Sequence, residues 1–208
     1  MSVARALLEA GAVRLSPSAP FTWASGMKAP IYCDNRQLLG LPDHRTQVKL
    51  ALAALGAELK PTLVAGTSTA GIPWAAMVAD ELGLPMAYVR PEPKKHGMGR
   101  QVEGPNADGH RVVLLEDLIS TGGSSLKCVE ALRKEDAHVL GVLALFSYGL
   151  DAAASAFQAQ EVPLKVLATF DELLDEALAQ GRVDPEGRAA LAQWRLDTAA
   201  WSRARGGA

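Results

Sequence analysis

The chain has little with which to staple itself together. Its two cysteines, Cys33 and Cys128, lie far apart and without C-x-x-C spacing, which excludes a disulfide framework and a zinc site built on paired cysteines. An excess of one charge is also missing. With 21 basic and 23 acidic residues the formal net charge is −2, so no general nucleic-acid binder is expected and any basic site must be local. Long hydrophobic runs are absent too: the longest useful apolar stretch, Val139 to Phe146, is strand-sized and too short to span a bilayer. Met1 to Ala10 carries Arg5 and Glu9 within its apolar pattern and has no signal-peptide core, so a soluble cytoplasmic protein with no membrane or nucleic-acid partner is expected. Two phosphate motifs are lacking, the Walker A loop and the G-x-G-x-x-G dinucleotide fingerprint. No internal repeat or interdomain linker is visible, and 208 residues fit one α/β domain with a modest accessory element.

What is present is organised around residues 112 to 125. Val112 to Leu115 are apolar and mostly β-favouring, Glu116 and Asp117 form an acidic pair, and Leu118-Ile119-Ser120-Thr121-Gly122-Gly123-Ser124-Ser125 leads into a helical pattern from Leu126 to Leu132. Such a unit reads as strand, acidic pair, loop and helix. A buried parallel strand would bring the carboxylates to the carboxyl edge of a sheet, where open α/β folds place their ligands. Glycines and hydroxyls then turn donors toward one point at the start of a helix, where a phosphate fits. The carboxylates would repel that phosphate, so their natural partners are ribose hydroxyls or a Mg²⁺ shell, and the implied ligand is a sugar phosphate. The plain alternative is an ordinary strand-turn-helix with a capped helix.

Four other stretches bear on the chemistry. Phe21 to Arg36 reads as a hairpin, an aromatic strand, a Ser-Gly turn and a strand entered through Pro30, forming a small separate hood able to line a pocket for a flat polar ring. Gly66 to Pro73 is a second hydroxyl-and-glycine loop at a strand's end, and Met86 to Val89 is a strand delivering Arg90. Residues 91–104 are rich in Pro, Gly and cations and lack either hydrophobic period, which marks a mobile surface loop. Beyond the central unit, Val139 to Phe146 and Leu164 to Ala168 are expected strands. Asp171 and Asp184-Pro185 are expected to start helices, Leu191, Trp194 and Trp201 to share a packing face, and the Gly-Gly-Ala end to fray.

The central stretch resembles the phosphoribosyl pyrophosphate (PRPP) binding motif of type I phosphoribosyltransferases. The hairpin, as F-x-x-x-S-G-x-x-x-P-I-Y-x-D-x-R, is similar to the amino-terminal signature of orotate phosphoribosyltransferases, and Arg90 to Gly97 has their R-x-x-x-K-x-H-G form. Three departures stand out. Family lysines are replaced by Ala24 and Ala70, and an arginine that contacts orotate in some members is replaced by Tyr148.

The resemblance implies the type I phosphoribosyltransferase fold, a central mostly parallel sheet flanked by helices, as one domain over 1–208 with hood elements in 1–40 and a mobile loop at 91–104. It implies transfer of the phosphoribosyl group of PRPP to orotate with Mg²⁺, in a homodimer whose loop reaches the neighbouring site. Carried over residue by residue, Lys94 and Asp117 are the catalytic candidates. Arg90, Lys94 and His96 meet pyrophosphate, with the register of Lys95 less certain, and Glu116 and Asp117 meet the ribose. Leu118, Ile119, Ser120, Thr121, Gly122, Gly123 and Ser124 complete the substrate loop, Ser120 also facing orotate. Lys28 is a further nearby charge. A purine phosphoribosyltransferase and a non-catalytic PRPP-binding regulator are the alternatives; the first should lack the hairpin signature, and the second usually adds a nucleic-acid-binding segment.

Overall fold

The computed structural model describes residues 2–23, 25–92 and 100–208. The chain opens with α1 (Val3–Glu9) and β1 (Val13–Leu15), followed by β2 (Phe21–Thr22), β3 (Lys28–Ala29) and β4 (Ile31–Cys33). A 3₁₀ turn, Asn35–Gly40, leads to α2 (Pro42–Ala57), which begins on Pro42 at its first position, where a missing N–H costs nothing. Then come β5 (Leu63–Thr67), α3 (Gly71–Leu82), β6 (Met86–Val89) and β7 (Val102–Glu103). The second half runs β8 (Arg111–Ile119), α4 (Gly123–Lys134), β9 (His138–Ser147), α5 (Asp151–Ala159), β10 (Leu164–Thr169) and α6 (Phe170–Ala179). Two helices, α7 (Pro185–Leu196) and α8 (Thr198–Arg203), close the chain.

Six strands form one sheet in the order β10-β9-β8-β5-β6-β7, parallel except for the β6–β7 pair. Alternation along the strands decides the layering. Val64, Val113, Leu115 and Leu143 face one buried cluster with α1, α2, α3 and α6, while Leu63, Ala65, Val112, Leu114 and Val142 face another with α4 and α5. From β5 the chain crosses to β6 on one side, whereas from β8 it runs the other way through β9 to β10. The strand order therefore reverses between β5 and β8, and a doubly wound sheet opens its ligand crevice at such a point. Both hydroxyl-and-glycine loops flank it.

Several local expectations change. Phe21–Thr22 pairs with Lys28–Ala29, before Pro30, and the strand after the proline pairs instead with Val13–Leu15. Pro30 thus separates two short sheets. Neither forms a separate body, because Val13, Ala29 and Ile31 are buried in the same cluster as α2 and α3. The strand carrying the acidic pair runs on to Ile119, and α4 already begins at Gly123, so only 120–122 are loop. Residues 102 and 103 of the expected surface loop are strand β7 on the sheet. Thr169, not Asp171, caps α6, through a reciprocal capping box with Glu172.

Asp197 interrupts the last helical pattern, so Trp201 belongs to α8, a separate helix from Leu191 and Trp194, although all three are buried in one cluster. The end is docked instead of frayed. The Ser202 hydroxyl accepts from Lys28 N at 2.8 Å and donates to Ala208 O at 2.7 Å, while Ala208 N donates to Gly26 O at 3.1 Å. Lys28 is engaged through its backbone there. No helix among the described residues is long and apolar enough to cross a membrane.

Candidate active site

The crevice is built from β8 outward. Pairing with β5 stops at Gly66↔Leu115, while pairing with β9 continues to Ile119↔Ser147. Glu116 to Ile119 therefore overhang the β5 side. Leu115 and Leu118 pack with one cluster and Ile119 with the other, so strict alternation is interrupted across Glu116 and Asp117.

Glu116 is 5% exposed, and its carboxylate accepts from Ser125 Oγ at 2.8 Å and from Asp117 N at 3.1 Å. Burial, reinforced by the charge of Asp117, pushes the Glu116 carboxyl up to about 8, the Ser125 bond opposing the rise. Burial also raises Asp117, against the hydrogen bonds that favour its charged form. Two adjacent carboxyls that resist ionising together want donors or cations brought by a ligand. Asp117 is held from the hood side as well: the Asn35 side chain donates to its carbonyl at 2.6 Å.

After Ile119 the chain turns through Ser120 and exposed Thr121 to Gly122, whose φ of 80° is in the left-handed region that favours glycine. Gly122 caps α4 without a side-chain bond, and Gly123 and Ser124 in the first helical turn are exposed. Backbone N–H groups at a helix start facing solvent make an anion site. Across the crevice, β5 ends at Thr67 and Ser68 to Ala70 lead into α3. Gly71 packs so closely that a Cβ there would meet Leu115 O at 2.4 Å.

On the hood side of β8 lies a cavity of about 280 Å³ lined by Trp23, Tyr32, Cys33, Leu118, Ser120 and Tyr148. Trp23 stacks on Tyr148 with ring centroids 5.9 Å apart and an interplanar angle of 19°, and its indole N–H donates to Ile31 O at 3.1 Å. Trp194 meets both rings edge-on from behind, at 6.0 and 5.5 Å, as a packing anchor. Burial pushes the Tyr148 phenol and the Cys33 thiol up, so both stay neutral. The lining is aromatic with a few polar edges, which suits a flat ring. No lysine or arginine is among these lining residues.

Of the residues predicted from sequence, Glu116, Asp117, Leu118, Ile119, Ser120, Thr121, Gly122, Gly123 and Ser124 come together along this one edge. Arg90 follows β6, its N–H donating to Gln101 O at 2.9 Å, and Gln101 Nε2 donates back to Arg90 O at 3.0 Å. That exchange closes the stem of the basic segment. Lys94, Lys95 and His96 lie outside the described residues, as does Ala24. Lys28 is not among the residues lining the cavity. Cys33, expected as a small strand residue, lines the cavity as well, and Asn35 had no local signal, since its partner is 82 positions away. Among the described residues no cluster of three or more His, Cys, Asp or Glu is arranged to hold a metal ion.

An aromatic cavity, an acidic pair and an exposed helix start on one sheet edge are the arrangement that a phosphorylated sugar set against a planar base would need. The phosphoribosyl transferase domain family matches residues 48–171, the stretch from α2 to the start of α6 that frames the crevice. The chain is 50% identical over 203 residues to the orotate phosphoribosyltransferase of Listeria innocua, covering 97% of each. In solved structures it resembles the orotate phosphoribosyltransferase of Aeropyrum pernix, with a TM-score of 0.71, 34% identity and coverage of 84% of this chain and 98% of that one. Against Leishmania donovani UMP synthase the TM-score is 0.76 at 27% identity, covering 92% of this chain but only 42% of that longer one. The chain belongs to the orotate phosphoribosyltransferase family.

Proposed function

We propose that the protein transfers the 5-phosphoribosyl group of PRPP to N1 of orotate, giving orotidine 5′-phosphate and pyrophosphate in pyrimidine nucleotide synthesis. The observation that carries this reading is the shared wall: Leu118 and Ser120 belong both to the ring cavity and to the acidic strand and loop. A base in the cavity would stand directly against a ribose on that edge. The identity to relatives named for this activity supports the choice of base.

In this reading Glu116 and Asp117 receive the ribose hydroxyls, and the backbone and hydroxyls of Ser120 to Ser124 receive the 5′-phosphate, with Leu118 and Ile119 supplying the strand end. Arg90, Lys94 and His96 meet the pyrophosphate. As the C1–pyrophosphate bond breaks, the ribose gains cationic character, and a carboxylate at Asp117 lowers the energy of that charge while Lys94 answers the charge on the leaving group. Orotate loses its N1 proton without a strong base, so no general base is assigned. With no cation among the described lining residues, the orotate carboxylate would look to the Ser120 hydroxyl.

Mg²⁺ fits as an ion carried by PRPP. Magnesium takes one or two carboxylates together with substrate phosphates, and Glu116 and Asp117 offer hard oxygens of that kind without forming a cage by themselves. When bound it would neutralise leaving-group charge.

Residues 1–208 are proposed to act as one cytoplasmic domain, working as a homodimer in which 91–104 of one subunit reach the other's site. Turnover assays with PRPP, Mg²⁺ and a panel of orotate, uracil, adenine and guanine test the chemistry. Only orotate should be consumed, and a purine preferred over it would overturn the reading. Mixing inactive Lys94→Ala and Asp117→Asn proteins should restore partial activity if loops cross the interface. No recovery after demonstrated subunit exchange would refute sharing.

A further inference from the structure

We infer that Asn35 is a positioning residue that couples the ring cavity to the acidic strand. The inference rests on the proposed use of Asp117 at the ribose and goes beyond it by assigning a residue that touches no substrate.

Asn35 is a fully buried polar residue in a molecule whose buried positions are overwhelmingly apolar. It opens the 3₁₀ turn after β4, where Asp34 Oδ1 accepts from Arg36 N at 3.3 Å and fixes the entry. Both ends of its amide are used. Nδ2 donates to Asp117 O at 2.6 Å, and Oδ1 accepts from Cys33 Sγ at 3.1 Å. Asparagine is one of few side chains that can accept from a thiol and donate to a carbonyl at the same time.

The geometry explains why a side chain is needed there. Pairing of β8 with β5 ends at Leu115, so on that side no strand continues to hold the overhang, and the carbonyl of Asp117 is met by Asn35. A buried carbonyl without a partner is costly. The bond fixes the peptide plane between Asp117 and Leu118, and so the direction of the Asp117 carboxylate on one side and of the cavity-lining Leu118 on the other. Through Cys33, which lines the same cavity, the hood is tied to the same amide. A hood displaced from the core would pull on Asp117, and an ordered hood holds the carboxylate where the ribose needs it.

Asn35→Ala and Asn35→Asp separate this role from simple packing. In a folded Asn35→Ala protein, kcat with saturating PRPP and orotate should fall 10-fold to 100-fold, with the KM for each substrate changed less than 3-fold. Asn35→Asp tests the donor directly. Its ionised form sets oxygen against the Asp117 carbonyl, whereas its protonated form can donate, so its kcat relative to the unmodified protein should rise as pH falls. A folded Asn35→Ala protein with unchanged kcat, or one whose only change is in the KM for orotate, would overturn the inference. Where Asn35→Ala fails to fold, a flat relative pH profile for Asn35→Asp does the same. Failure of the functional reading is distinguishable, because it would be seen in the unmodified protein as absent orotate turnover.

Discussion

Two strand-loop-helix units stand side by side at the crevice, β5 into α3 and β8 into α4, and they use similar residues for different ends. Both junctions are rich in Ser, Thr and Gly. In the first, glycine provides closeness: a Cβ on Gly66 would meet Gly71 O at 2.7 Å, and one on Gly71 would meet Leu115 O at 2.4 Å, so α3 is pressed against the sheet. In the second, Gly122 provides shape at positive φ while lying so close to Phe157 that a Cβ would meet Cε2 at 2.5 Å, and Gly123 is open, with nothing within 4 Å of an added Cβ. Only the second follows a pair of carboxyls. Similar composition therefore gives a tightly packed junction in one unit and a solvent-open helix start in the other.

The largest expected effect sharpens the contrast in chemistry. Asp117→Asn keeps the backbone bond from Asn35 but removes the charge, and kcat should fall by roughly 10²- to 10³-fold while the thermal midpoint holds or rises. Steady-state kinetics beside a melting curve check it, and an active Asp117→Asn protein would move the chemistry off β8. Next comes Gly71→Ala, which forces backbone against backbone and should cost about 2–3 kcal/mol of stability, read by denaturant unfolding.

Glu116→Gln probes the carboxyl pair through pH. The native Glu116 carboxyl is raised from 4.5 to about 8, so between those values the unfolded chain gives up its proton while the native chain keeps it, and native stability falls as pH rises. Glutamine cannot ionise, so the variant should gain stability relative to the unmodified protein from about pH 4.5 to about pH 8 and level off above. Its advantage should be on the order of 5 kcal/mol at the alkaline end. Chemical unfolding at several pH values measures this, and parallel curves would mean that Glu116 carries no such shift. The smallest effect belongs to Gly123→Ala, within about 0.5 kcal/mol of the unmodified protein. A loss as large as that of Gly71→Ala would erase the distinction between the loops.

Much of this layout was legible locally. The strand at Val139 to Phe146 and the Asp184 cap follow from periodicity and turn chemistry acting within a few residues. The partner of Phe21–Thr22 was misread because Pro30 looks like a strand entrance, whereas it breaks one short sheet from the next. The docked end was misread because glycine and alanine carry no local sign of order, and the bonds that hold Ala208 come from Gly26 and Ser202. Tyr148 stands out locally only as a departure from the family pattern, because its stacking on Trp23 joins residues far apart in the chain.

The sequence alone determined the chemistry available at each strand end: acidic groups after Leu115, donors from Ser120 to Ser124, aromatics around Phe21 to Tyr32. These depend on neighbours within a turn or a strand, where residue type and spacing suffice. Tertiary structure decided which of them meet. The overhang of β8, the cavity between hood and sheet, and the reach of Asn35 to Asp117 arise only when distant segments close on one edge, because a buried polar group takes whichever partner the packing brings within hydrogen-bond range.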